Sequence, residues 1–221
     1  MALRVLIFLG LIALAPTVAM ASILPLGIPD NGRLDFKVTR DGDAIGTHVL
    51  KFKQQGQQTN VEIRTKIEYR FLSIPVYRFR HESKETWVGD QLTSLISVTD
   101  DNGDSVQLKV APLSKGSGLL VQKQDGHLKV ERGILPASLW NASLVSKDRL
   151  LSTVGGDLLP TKVTLVGDEK ISVQGKKIAV RHYRLSGAFM RDVWYDRSTN
   201  VLVRVRFKAG DGSKVEFLRQ Y

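Results

Sequence analysis

The 221-residue chain contains no cysteine. That excludes disulfides, thiolate metal sites and a lipid-anchored cysteine, so the fold must be held by its core alone. Histidine is scarce, with four residues in all. None of the four has a second ligand at metal-binding spacing, so no metal and no cofactor are expected. The nucleophile-elbow pattern Gly-x-Ser-x-Gly is absent, and the glycines fall at turns with no helix following, which leaves no phosphate-cradling loop. Also missing are internal repeats, low-complexity stretches, interdomain linkers and the strand-helix-strand alternation of a parallel sheet. The residues therefore give no positive support for an enzyme.

Long apolar runs are missing too, except at the N-terminus. There MALR is followed by VLIFLGLIALA and PTVAMA. A basic start, an apolar run of about eleven residues and small residues at Ala19-Met20-Ala21 make a secretory signal peptide over residues 1–21. A membrane-spanning helix would need roughly 20 apolar residues, and Pro16 interrupts this run. The mature part, 22–221, reads as a single antiparallel β domain that does not span a membrane, and export without a lipid anchor points to the periplasm. Asn141-Ala142-Ser143 fits the glycosylation pattern, which matters only in a eukaryotic host.

The formal charge is +10, and only one positive charge, Arg4, leaves with the signal peptide. A basic protein attracts anionic partners. Outside the cytoplasm these are phospholipid or other envelope polyanions and not nucleic acid. The charges are spread along the strands instead of clustered in a run, which is also what a solvated face looks like.

From Leu34 onward the apolar residues alternate with polar ones, the signature of half-buried strands. Leu34, Phe36 and Val38 alternate with Asp35, Lys37 and Thr39, and Asp41-Gly42-Asp43 turns the chain into a second strand from Ile45 to Phe52. Val61 to Tyr69 and Tyr77 to Trp87 are the cleanest alternating segments. Further strands are predicted at Leu92 to Thr99, Val106 to Val110, Leu119 to Lys123 and His127 to Glu131. After the stretch 137–145, ASLWNASLV, come Thr161 to Val166, Glu169 to Val173, Ile178 to Leu185, Arg191 to Tyr195, Val201 to Ala209 and Lys214 to Arg219. ASLWNASLV itself is predicted as one short helix carrying Trp140. The fold class is therefore all-β: a large, mostly up-and-down antiparallel sheet, curled into a half-open or closed barrel, with one short inserted helix. Neighbouring strands are expected to pair in sequence order.

On the strand from Tyr77 to Trp87 the alternation places Tyr77, Phe79, His81, Ser83, Glu85 and Trp87 on one face. If that face is concave, Tyr77, Phe79, His81, Glu85 and Trp87, with Trp140 from the inserted segment, are the candidate ligand-binding residues. The plainer reading of each is a packed or hydrogen-bonded core residue. His81 and Glu85 are about 13 Å apart along the strand, too far to share a proton or a metal, so no catalytic residue is assigned. His48, His127 and His182 read as strand or turn histidines with ordinary partners. Trp194 reads as core filling.

The segments DFKVTRDGDAIGTHVLKF, PVYRFRHESKETWVGDQL, ILPASLWN and RHYRLSGAFMRDVWYD together resemble an uncharacterised family of exported proteobacterial proteins, known only as a domain of unknown function. The resemblance covers nearly all of the mature chain and implies an exported β domain without implying an activity. Where similar sequences carry Pro-Thr-Ser-Tyr-Trp-Asn, this chain has Pro136-Ala137-Ser138-Leu139-Trp140-Asn141. A curled sheet with an inserted helix is also similar in architecture to the periplasmic lipoprotein carriers, whose half-barrels hold acyl chains; fold alone does not establish function. The reading preferred on the sequence is a periplasmic, non-catalytic binding module for an amphipathic or lipid-like molecule. The alternative is an envelope structural or interaction protein that uses a basic outer face.

Overall fold

A computed structural model describes residues 24–72 and 74–220, with Phe71 described by its backbone only. The expected signal peptide lies outside the described residues. Fourteen strands follow one another: β1 Arg33–Arg40, β2 Asp43–Gln55, β3 Gln58–Phe71, β4 Ile74–Val88, β5 Gln91–Asp101, β6 Asp104–Pro112, β7 Leu119–Lys123, β8 Gly126–Val130, β9 Arg149–Leu151, β10 Leu158–Val173, β11 Lys176–Gly187, β12 Arg191–Asp196, β13 Leu202–Lys208 and β14 Lys214–Gln220. They form one antiparallel sheet in the order β8-β7-β6-β5-β4-β3-β2-β1-β14-β13-β12-β11-β10-β9. Pairing follows the sequence except at one junction, where β1 lies beside β14 with Val38 opposite Phe217. The sheet does not close. Its open seam lies between β8 and β9, and the chain joining these two edges is the inserted segment.

Local chemistry explains the hairpins. Asp41-Gly42, Asn102-Gly103 and Gln174-Gly175 each hold both residues at positive φ, the two-residue turn whose twist matches the strands it joins. Gly46 marks a bulge opposite Val38 and Thr39. A Cβ there would lie 2.0 Å from the Lys66 carbonyl oxygen, so only glycine lets β2 approach β3 so closely.

Curling buries one face. Leu34, Leu50, Ile63, Leu95, Val110 and Val121 from one half of the sheet share a core with Leu185, Val193, Leu202 and Val205 from the other. The inserted segment fills the space between them. Residues 135–137 add to the edge of β9, with the Ala137 N–H donating to the Leu151 carbonyl at 2.8 Å. Beyond β9 the chain crosses the concave face. Ser97 donates to the Thr153 carbonyl at 2.6 Å, and Gly156 packs on Leu108 and Val121. A smaller second core, Ile171, Val173, Val180, Trp194 and Val203, forms where the far end of the β10–β11 hairpin folds over the outer side of β12 and β13. The sheet is therefore buried on both sides at β12, which explains the uninterrupted buried run Val193-Trp194-Tyr195.

Two sequence expectations are corrected. The predicted helix carrying Trp140 is not formed: Leu139 sits at φ 66°, in the left-handed region that breaks a helix. Trp140 lies in the extended loop before a single 3-10 turn at Ala142–Ser146, capped by the Asn141 side chain accepting from the Ser143 N–H. Asn141 is thus a buried cap and not an exposed acceptor for sugar. Finally, Thr161 to Val166 and Glu169 to Val173 are one strand, β10, with a register shift at Leu165/Gly167 instead of a turn, while the short β9 carries no alternation long enough to read. No helix among the described residues is long and apolar enough to cross a membrane.

Candidate functional site

The concave face encloses a cavity of ≈ 510 Å³, within the ~300–1,000 Å³ typical of small-molecule sites. Its walls are mainly apolar. Ile63, Ile67 and Phe79 come from β3 and β4, Phe207 and Phe217 from β13 and β14, and Leu139 and Val154 from the inserted segment and the loop after β9. The alternation of each strand delivers these side chains inward, and the curl brings the two halves of the sheet face to face.

One row of polar side chains crosses the wall. Phe36, His48, Thr65, His81 and Thr99 are successive cross-strand partners on β1 to β5. His48 Nδ1 pairs with the Thr65 hydroxyl at 2.8 Å, and His81 Nδ1 with the Thr99 hydroxyl at 2.8 Å. Burial pushes His81 down to about 4, and burial together with the nearby His81 pushes His48 down to about 3. Both imidazoles are neutral at pH 7. Neither has a carboxylate partner among the described residues, and an imidazole titrating so low is a poor general base. His48 packs between the Phe36 and Phe217 rings, with centroid separations of 5.6 and 5.3 Å. The row is a hydrogen-bonded, aromatic wall and has no arrangement of acid, base and nucleophile.

Arg191 is the exception to this neutrality. Its guanidinium carbon lies 3.9 Å from the centre of the Phe207 ring and 4.6 Å from that of Phe189. Its hydrogen bond is donated by Nη1 to the Met190 carbonyl at 2.7 Å. Burial pulls the group down to about 10, and no carboxylate lies within ion-pair distance among the described residues. The two aromatic faces attract the guanidinium, but without a counter-ion part of the cost of desolvating its charge is left unmet. Asp101 is the other charged residue on the lining. It accepts a hydrogen bond from Tyr77, whose hydroxyl is pushed up to about 12 by burial and by that carboxylate.

Deeper along β4, past His81 and Ser83, the character changes. Glu85 Oε2 accepts from the indole N–H of Trp87 at 3.0 Å and of Trp140 at 2.9 Å. The two indoles meet edge to face at 5.4 Å, and Trp140 meets Phe52 in the same way at 5.1 Å. Burial raises the Glu85 carboxyl above its ordinary range, opposed in part by the donors Trp140, Ser138 and Trp87. This cluster is solidly packed and ties the inserted segment to β4.

Of the six candidates read from the sequence, the structure places Tyr77, Phe79 and His81 on the cavity wall, and Glu85, Trp87 and Trp140 in the packed cluster beneath it. His48, Phe189, Arg191, Phe207 and Phe217 line the cavity without having been singled out. Their signal was faint: Ala188-Phe189-Met190-Arg191 is an apolar stretch ending in one cation, and only the curl shows that it faces β4. Trp194, on the outer side, stacks on His182 at 4.1 Å and donates to Glu169, as a core residue would. No group of three or more His, Asp or Glu side chains that could hold a metal ion occurs among the described residues.

The family described as Domain of unknown function (DUF6134) matches residues 36–220, and the chain belongs to it. The match runs from β1 to the end of β14 and so takes in every wall of the cavity. No curated protein matches the chain.

Proposed function

We propose that this member of the DUF6134 family is a non-catalytic binding module for a single-tailed amphipathic molecule, whose apolar tail lies in the concave cavity and whose anionic head pairs with Arg191. The observation that carries this reading is the guanidinium without a carboxylate at ion-pair distance among the described residues, set between Phe189 and Phe207 at the side of a mainly apolar chamber. A carboxylate or phosphate would accept a forked pair of hydrogen bonds from it, and the Phe, Ile and Leu side chains would exclude water from the tail. The neutral His48 and His81 contribute polarisable wall and no chemistry. In this reading the module works in the periplasm, which rests on the character of residues 1–21. The alternative, an interaction protein with a packed interior and a basic outer face, has less support. The outer rows of β3 and β4 interleave both signs, with Arg64 and Glu82 at 3.9 Å and Lys84 and Glu62 at 3.8 Å.

The test is a titration of the delipidated protein with dodecanoic acid, dodecyl phosphate and dodecanol. Both anions should bind, and Arg191→Met should weaken them by roughly 10- to 100-fold, the worth of a charged hydrogen bond, while leaving the alcohol unchanged. Equal binding of the acid by Arg191→Met and the unaltered protein would remove the basis of the reading.

A further inference from the structure

We infer that the tip of the β3–β4 hairpin is a membrane-contact element that seats the mouth of the cavity against a bilayer containing anionic lipid. β2 pairs with β3 only as far as Gly46 opposite Ile67, and β5 pairs with β4 only from Asp101 opposite Phe79. Beyond Arg78, whose carbonyl still accepts from the Asn102 N–H at 2.7 Å, residues 69–72 and 74–77 run on as a two-stranded ribbon, roughly 13 Å long at the rise of a strand, with the Arg40 guanidinium resting on the Tyr69 ring at its base. The tip of that ribbon is apolar and bare: Leu72 is 81 % exposed, Ile74 65 % and Val76 49 %.

Basic residues stand behind the tip. Lys66 and Arg80 are cross-strand partners on the outer face, and neither has a carboxylate at ion-pair distance among the described residues. Arg78, one step closer to the tip, is held only loosely to Asp100 at 3.6 Å. An apolar end followed by cations is the arrangement that enters the acyl boundary while pairing with lipid phosphates. At the foot of the same ribbon Tyr77 and Phe79 line the cavity, and Met190, 68 % exposed, sits between the lining residues Phe189 and Arg191. Apolar residues thus stand both at the tip and on the cavity wall, and in this inference they mark the path by which an amphiphile leaves the bilayer. That path has a purpose only if the cavity reading holds, whereas the docking itself does not depend on it.

The absence of cysteine makes the test clean. The full chain with Ile74→Cys carries an environment-sensitive fluorophore, and Ser114→Cys, in the turn at the opposite end of the sheet, carries the control. On vesicles of equimolar phosphatidylcholine and phosphatidylglycerol, the label at residue 74 should brighten and shift to the blue, with little change on phosphatidylcholine alone and none from residue 114. Adding Arg78→Gln and Arg80→Gln should weaken vesicle binding by roughly 30-fold at low salt, about fivefold per cation lost near the surface. Arg191→Met should dock normally, so failure of the cavity reading and failure of this one give different results. No response at residue 74, an equal response at residue 114, or a response that follows protein concentration without vesicles, as self-association would give, overturns the inference.

Discussion

Glu85 offers the sharpest test of how the inserted segment is held. Its carboxylate is 1 % exposed and receives two indole N–H donors on one oxygen, at 3.0 and 2.9 Å. Glu85→Ala leaves both donors buried without an acceptor. At about 1–3 kcal/mol for each unsatisfied group, and with a further cost for the space left behind, the loss should be on the order of 3–6 kcal/mol. Glu85→Gln keeps an amide oxygen for both indoles and removes the penalty of ionising a buried acid, but its NH2 takes the place of Oε1, which has no hydrogen-bond partner among the described residues, so it should cost about 1–3 kcal/mol, less than Glu85→Ala. The sign of the pH effect follows from the raised carboxyl. Its stabilising share is complete below the unfolded carboxyl range and is lost as pH rises through the folded value. Glu85→Gln should abolish that slope. Urea unfolding followed by tryptophan fluorescence at pH 5 and pH 8 reads all of this, because Trp87 and Trp140 are themselves the donors. If Glu85→Gln proved as damaging as Glu85→Ala, or if neither altered stability, the reasoning would be refuted.

The histidine row acts in the opposite sense. His48 and His81 titrate near 3 and 4 when folded, below the ordinary value near 6.5. Their stabilising share is complete above about 6.5 and is lost as pH falls toward 4; for His81 it is on the order of 3 kcal/mol. Unfolding of His81→Gln between pH 7 and pH 4.5 should show a flatter pH dependence than the unaltered protein, and an unchanged slope would count against the buried neutral imidazole. Tyr195→Phe removes the hydroxyl that donates to the Leu139 carbonyl at 2.7 Å, and the buried acceptor left behind should cost about 1–3 kcal/mol by chemical denaturation. Gly46→Ala places a methyl group 2.0 Å from the Lys66 carbonyl oxygen; chemical denaturation should show a loss of stability well beyond the roughly 0.5 kcal/mol typical of a surface substitution.

The strands were legible because a sheet with one wet face writes its period into the sequence, as Val61 to Tyr69 and Tyr77 to Trp87 do. Where both faces are covered the signal fades, and β10 looked like two strands because its bulge carries glycine and aspartate, the residues of a turn. The sequence predicts a helix at Trp140 because Ala and Leu around it suit one locally. The left-handed Leu139, locked by Tyr195 from β12, is a tertiary effect that no local pattern contains. The cavity was half legible. Tyr77, Phe79 and His81 share a strand face, so alternation groups them, but His48, Phe189 and Arg191 join them only through the β1–β14 junction and the curl. Arg191 in particular looks like any strand-edge cation until two phenyl rings prove to flank it and no carboxylate among the described residues stands at ion-pair distance.

The most direct measurement is native mass spectrometry, with solvent extraction, of the protein purified without detergent, alongside Arg191→Met prepared identically. The account expects a stoichiometric adduct of one anionic amphiphile on the unaltered protein, largely missing from the variant. A clean unliganded mass that stays unchanged on incubation with envelope lipids would contradict it.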